Sequence, residues 1–169
     1  SKAGLLYPWG DSGPVGGKVM RIAPGISWAR IPMPGSLGHV NTWLLDDGDD
    51  LAIVDTGLSM AICLDGWKAL MAEDLAGRRA SRIICTHMHP DHIGLAGWLA
   101  EKYDAKIWMT RGEMLTARSI LSNTSDIVPD EVIQQWSLAG WTEEQIEASK
   151  SSGWGRFGEA VHPLPRGYT

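Results

Sequence analysis

Residues 86–92, "THMHPDH", hold three of the chain's five histidines and an aspartate within seven positions. The cluster follows the apolar run "RIIC". In an extended segment leaving a strand, side chains at i and i+2 point the same way, so His87 and His89 can share one cation. Asp91 and His92 come after Pro90 turns the chain, and they face the same space from another angle. Imidazole nitrogen together with carboxylate oxygen suits Zn²⁺, and also iron or manganese of similar geometry. A cluster on the loop from a strand into a helix stands where layered α/β folds hold their chemistry.

The elements around it can be read from periodicity. "KVMRIA" and "ISWARI" alternate as strands, and "HVNTWLL" meets the turn "DDGDD" before "LAIVD", which reads as a hairpin. Met60, Leu64, Trp67, Met71 and Leu75 share one helical face, and Gly77 stands at the expected C-cap. "SRIICT" is a short strand, "DHIGLAGWLAEKY" starts a helix directly behind the histidines, and "AKIWMT" is a further strand. Strand–helix–strand–helix–strand order implies layered α/β with crossovers over a sheet. From Arg111 the pattern turns helical. "RGEMLTARSIL" is one helix, Pro129 opens a second over "DEVIQQWSLAG", and the "TEEQ" capping box opens a third that ends at "SSG". The division expected is 1–110 for the first half of a domain, 111–153 for a helical cap, and 154–169 for a proline-rich connector.

Composition bounds the partners. The chain has 169 residues, a net charge of −5 and 44% apolar residues, so a nucleic-acid partner is disfavoured and a globular fold is expected. The segment "DEVIQQWSLAGWTEEQIEASK" has a helix–turn–helix form, but Glu143, Glu144 and Glu147 against Lys150 would repel phosphate. No apolar run approaches a membrane span, no signal-peptide core is visible, and Cys63 and Cys85 read as buried thiols; the cytoplasm is the expected compartment. Nine tryptophans against one phenylalanine suggest a tryptophan-filled core, Trp98 included. On the helical cap, Trp136, Trp141 and Trp154 are candidates to wall an apolar substrate pocket, Trp136 and Trp141 above all.

"THMHPDHIG" resembles the signature of the metallo-β-lactamase fold superfamily. "VDTGL" at 54–58 is similar to that superfamily's Asp-Thr-Gly turn, and "HVNTWLLDDGDDLAIVDTG" to its opening hairpin. Flavodiiron-type members carry Glu where this chain has His89. "THMHPDHIGLAGWL", the helices after "WMTRGE" and the connector "PLPRGY" resemble a glyoxalase II-like subgroup of metallohydrolases with a helical cap.

The resemblance implies an αββα sandwich, of which this chain supplies the first-half sheet, its flanking helices and the helical insertion. It implies His87 and His89 as ligands of one metal, Asp91 and His92 of a second, and Asp55 as a support for the metal centre. Two zinc ions would be expected in a complete site. Water shared between them would have its pKa lowered from 15.7 toward about 7 and would attack an ester, thioester, lactone, amide or related carbonyl, with Asp91 orienting it or passing a proton on. A further histidine, a bridging aspartate and a last histidine are expected beyond the cap. His162 lacks their sequence setting, so the 169 residues alone are expected to be inactive. A half-sandwich would expose an apolar face to a second copy or to a complementing C-terminal segment. The rival readings are a mononuclear iron persulfide dioxygenase-like enzyme and a non-catalytic small-molecule binder on the same scaffold; RNase Z-like cleavage is disfavoured by the acidic balance.

Overall fold

A computed structural model describes residues 12–122, 127–151 and 154–165, together with residues 4, 8 and 9. Among these residues six strands form one mixed sheet in sequential order: β1 (Met20–Ala23), β2 (Ile26–Pro32), β3 (His39–Asp47), β4 (Asp50–Val54), β5 (Ala80–Ile84) and β6 (Lys106–Trp108). The first four pair antiparallel as a meander, and β4, β5 and β6 run parallel. The β3–β4 hairpin closes at Asp47↔Asp50, and Gly48, first of its two loop residues, has φ 65°, as a tight hairpin turn requires. Parallel pairing forces a crossover after each later strand. α1 (Ala61–Ala72) links β4 to β5; α2 (Pro90–Ile93) and α3 (Ala96–Tyr103) link β5 to β6.

Both crossovers cover the same face. Ala29, Ile31, Leu44, Ile53 and Ile83 from the sheet share one core with Cys63, Trp67 and Leu70 of α1 and Ala96 and Leu99 of α3. The opposite face presents Trp28, Arg30, Trp43, Val54, Ile84 and Trp108, whose register places them in adjacent rows. Trp28 stacks on Trp43 with ring centres 6.1 Å apart, and Trp108 is 53% exposed.

The fold departs from the sequence reading in three places. First, α1 stops at Ala72, with Glu73 as its C-cap, so Gly77 (φ 75°) belongs to the following turns and Met60 is an exposed N-cap residue. The buried face is Cys63–Trp67–Leu70, with Leu64 and Met71 at its margin. Second, the helix behind the histidines is broken at Gly94–Leu95. There Leu95 N–H donates to Gly57 O (3.0 Å) and to Thr56 Oγ1 (3.1 Å), a tertiary demand that overrides helical continuation. Third, the tryptophans do not fill the core: among the described residues Trp67 alone is fully buried, Trp98 is half-buried against the core, and Trp9, Trp108 and Trp141 are exposed. The side chain of Trp154 and the "SG" at 152–153 lie outside the described residues.

Beyond β6 come α4 (Arg111–Ser122), α5 (Asp130–Leu138), α6 (Glu143–Ser151) and a 3-10 helix (Trp154–Ala160). Pro129 is the N-cap of α5 rather than its first residue. The "TEEQ" box forms in both directions: Thr142 N–H donates to Gln145 Oε1 (2.8 Å) and Gln145 N–H to Thr142 Oγ1 (3.2 Å). Among the described residues no helix is long and apolar enough to cross a membrane.

Candidate metal centre

The histidine loop leaves β5 at the end where β4 also stops, and the β4 exit residue organises it. Asp55 is 5% exposed and sits at φ 62°, in the left-handed region that aspartate tolerates better than most residues. Its carboxylate accepts the Thr86 N–H (2.9 Å) and the Thr86 hydroxyl (2.8 Å at Oδ2), and meets His92 Nδ1 at 2.8 Å. Because an ionised carboxylate only accepts, His92 Nδ1 must carry the proton, which in the neutral ring leaves the lone pair on Nε2. Having donated to Asp55, the Thr86 hydroxyl can accept from His87 Nδ1 at 3.0 Å. One buried carboxylate thus sets two imidazoles, His92 directly and His87 through Thr86.

The backbone braces the same corner. Thr56 N–H and Gly57 N–H donate to His92 O (2.9 Å) and Asp91 O (3.1 Å), and the Thr56 hydroxyl also donates to His92 O (2.8 Å). Trp67 Nε1–H holds Thr56 O at 2.7 Å, which ties the corner to the centre of α1. Gly94 permits the approach: a Cβ there would stand 2.4 Å from Gly57 O, 2.5 Å from Pro90 O and 2.7 Å from Ala160 O. Pro90 opens α2, and His89, its N-cap, is extended at φ −60°, ψ 143°.

The four cluster residues come together as two donor pairs. His87 Nε2 lies 2.9 Å from His89 Nδ1, and His92 Nε2 lies 3.3 Å from Asp91 Oδ2. The rings of His87 and His92 stand 4.1 Å apart, so the pairs adjoin. Two donors on one tetrahedral zinc, each about 2.0–2.1 Å from it, stand about 3.3 Å apart, so both pairs have the chemistry and nearly the spacing of shared ligands. The number of donors per ion falls short: a catalytic zinc takes about three protein ligands, and each pair offers two. Accordingly, among the described residues no three His, Cys, Asp or Glu side chains are arranged to hold a metal ion as they stand. His162 lies apart from the donor pairs in its contacts, with Nε2 3.9 Å from Glu101 and its backbone on Gly94 O.

Electrostatics follow the hydrogen bonds. The bond to Asp55 raises the His92 pKa above its ordinary value; burial opposes this, and the charges of Asp55 and Asp91 add to the rise. Burial would push Asp55 up, but the bonds from His92 and Thr86 more than offset it and hold its pKa low. Burial, reinforced by the Asp55 charge, drives the Cys85 thiol up to about 12, so it stays protonated and inert beside the site.

Trp136 of α5 and Trp141 of the link to α6 are brought together, stacked 5.2 Å apart with planes 6° from parallel, where little is buried: α5 buries no residue and α6 only Ile146. The sequence reading gave no role of their own to Thr86 and Thr56, which lie inside the two quoted motifs, and placed Trp67 on a helical face without its bond to Thr56 O.

The chain thus combines a mixed sheet and crossover helices with a His-x-His-x-Asp-His loop at its strand ends. The profile of the metallo-beta-lactamase superfamily matches residues 35–165, and the chain belongs to that superfamily. It is 37% identical over 75 residues to a probable metallo-hydrolase, YybB, of Bacillus subtilis, a match covering 44% of this chain and 32% of that protein. Among solved structures it resembles a beta-lactamase domain protein from Burkholderia ambifaria, with TM-score 0.69 and 31% identity over 96% of this chain and 48% of that one. A metallo-beta-lactamase family protein from Thermus thermophilus superposes with TM-score 0.61 and 26% identity, covering 86% and 46% of the two chains. The chain therefore spans about half the length of those structures and a third of that curated relative.

Proposed function

We propose that this sequence belongs to a zinc-dependent hydrolase of carbonyl substrates (esters, thioesters or lactones) of the glyoxalase II-like kind. In that reading His87 Nε2 and His89 Nδ1 hold one cation, and Asp91 and His92 Nε2 a second; iron or manganese fits the same donors. When bound, the cations acidify water and polarise the substrate carbonyl. The chain's own residues do the rest. Asp55 keeps the proton on His92 Nδ1 and, through Thr86, on His87 Nδ1, so each Nε2 lone pair stays turned into the site. With His87 Nδ1 protonated, the 2.9 Å contact is a bond from His89 Nδ1–H to His87 Nε2, and that proton must leave before both atoms can serve one ion. Asp91, 30% exposed at its side chain, is open enough to orient water and to carry a proton toward the leaving group.

The observation that carries the proposal is the two adjoining donor pairs, in each of which one imidazole, His87 or His92, is anchored by its opposite nitrogen on one buried aspartate, directly or through Thr86. The half-length match to structural relatives supports a third donor for each cation from a further segment of the whole protein, with residues 111–153 as a cap over the site and 154–169 leading onward. The buried thiols of Cys63 and Cys85, neither in a disulfide, support a reducing, cytoplasmic setting. The test is hydrolysis of a thioester, lactone and β-lactam panel by zinc-reconstituted whole protein. Turnover of at least one class should fall by about 10²–10⁴-fold in Asp91→Asn, as for loss of a general acid–base group. Wild-type turnover in that variant, or oxygen uptake with a persulfide in place of hydrolysis, would refute it.

A further inference from the structure

Two Thr-x-x-Glu/Gln boxes occur in the helical segment, and they behave differently. In Thr142–Gln145 both reciprocal bonds close. In Thr110–Glu113, at the start of α4, only one half is present: Glu113 N–H donates to Thr110 Oγ1 at 3.4 Å. The Glu113 carboxylate is turned away from the Thr110 amide it would ordinarily satisfy. Its Oε2 instead accepts the backbone N–H of Met88 at 2.8 Å, across 25 residues of sequence. Met88 is the residue between His87 and His89. A charged acceptor on a backbone amide makes one of the stronger hydrogen bonds available to a loop.

We infer that Glu113 is a positioning residue for the His87–His89 donor pair, holding the peptide between them and coupling the entry of α4 to the site. The inference rests on the proposed role of those histidines as metal donors. Thr86 and Asp55 fix the ring of His87 from one side; Glu113 fixes the backbone joining the rings from the other. The i and i+2 side chains then keep the 2.9 Å approach of their donor nitrogens. The carboxylate acts through an amide and touches neither ring.

Two measurements on the whole protein test it. The first needs no metal: amide hydrogen exchange at Met88, read by NMR. Glu113→Ala should speed it by about tenfold or more, the equivalent of one lost hydrogen bond to a charged group. Glu113→Gln, whose amide oxygen can still accept, should stay within about threefold of wild type. Thr110→Ala, which removes only the capping half of the box, should also leave Met88 near wild type. The second is zinc titration by calorimetry. Glu113→Ala should weaken binding that depends on His87 and His89 by about 10–100-fold, the usual cost of losing a group that orients ligands, and Glu113→Gln should restore most of it. Unchanged Met88 exchange in a folded Glu113→Ala chain would overturn the proposal. So would equal losses in Thr110→Ala, which would assign the effect to the helix start. Wild-type zinc binding indifferent to His87→Ala and His89→Ala would instead sink the metal reading, and Met88 exchange would still decide whether Glu113 positions the loop.

Discussion

Between Leu51 and Leu99 the chain buries Ile53, Asp55, Thr56, Trp67, Ile83 and Ile93, each at 5% exposure or less; from Asp130 to Ser151 it buries Ile146 and little else. The first region is fixed by bonds between distant parts of the chain, such as Trp67 to Thr56 O and Thr56 to His92 O. The second is fixed by local devices, the Thr142–Gln145 box and the stacked Trp136–Trp141 pair. The difference separates two tasks. Donor atoms that must share an ion need placement within fractions of an ångström, which only an over-determined corner provides. Helices that would shape a substrate pocket can vary, because little of the core depends on them. Glu113 belongs to neither region: from α4 it reaches back to the Met88 N–H in the first.

The contrast breaks most readily at Gly94. Gly94→Val would place its Cβ against three backbone oxygens that cannot retreat, and should cost about 3 kcal/mol or more in urea denaturation, the upper range for overpacking. A loss under about 1 kcal/mol would mean the corner is looser than described. Next comes Thr56→Val, which strips a buried hydroxyl from His92 O and Leu95 N–H. The expected cost is about 1–3 kcal/mol, read in the same way.

Asp55→Asn sharpens the electrostatic side. His92 is raised, so its contribution to stability is full below the ordinary histidine pKa and fades as pH rises through the folded value. Asp55 is lowered, so its contribution is full above the ordinary aspartate pKa and is lost as pH falls through the folded value. The metal-free chain should therefore be most stable between those two limbs, and Asp55→Asn should flatten both in a pH series of melting temperatures. An unaltered profile would show that the pair does not couple. The smallest effects belong to the helical segment. Gln145→Ala should cost about 0.5–1 kcal/mol, visible as faster exchange in the first turn of α6, with zinc affinity unmoved. Trp136→Ala should leave stability within about 1 kcal/mol while raising KM for bulky acyl substrates of the whole protein; an unchanged substrate profile would remove the indole from the pocket.

Legibility in the sequence follows the same division. Alternation in "ISWARI" and "HVNTWLL" announced the meander because one face of each strand is buried and the other is not. The Asp-Gly turn announced the hairpin, and spacing alone put His87, His89, Asp91 and His92 within reach of one another. The "TEEQ" box was readable because its partners are three residues apart. What stayed hidden depends on distant groups. The break at Gly94–Leu95 is imposed by Gly57 and Thr56, some 40 residues earlier. The early end of α1 shifts its buried face to Cys63, Trp67 and Leu70. The tryptophans misled because an open sheet face can carry indoles as readily as a core can. Thr86 and Glu113 act through the backbone or through another side chain, and residue type alone gives little sign of that.

The central claim is that Asp55 sets two imidazoles so that His87 Nε2 and His92 Nε2 turn toward cations, with His89 Nδ1 beside the first. Imidazole ¹⁵N NMR of the whole protein during zinc addition tests it most directly. The account predicts protons on Nδ1 of His87 and His92 in the metal-free chain, then zinc-dependent shifts at those three nitrogens together. Protons on Nε2 of His87 and His92 above neutral pH, with all three resonances indifferent to zinc, would contradict it.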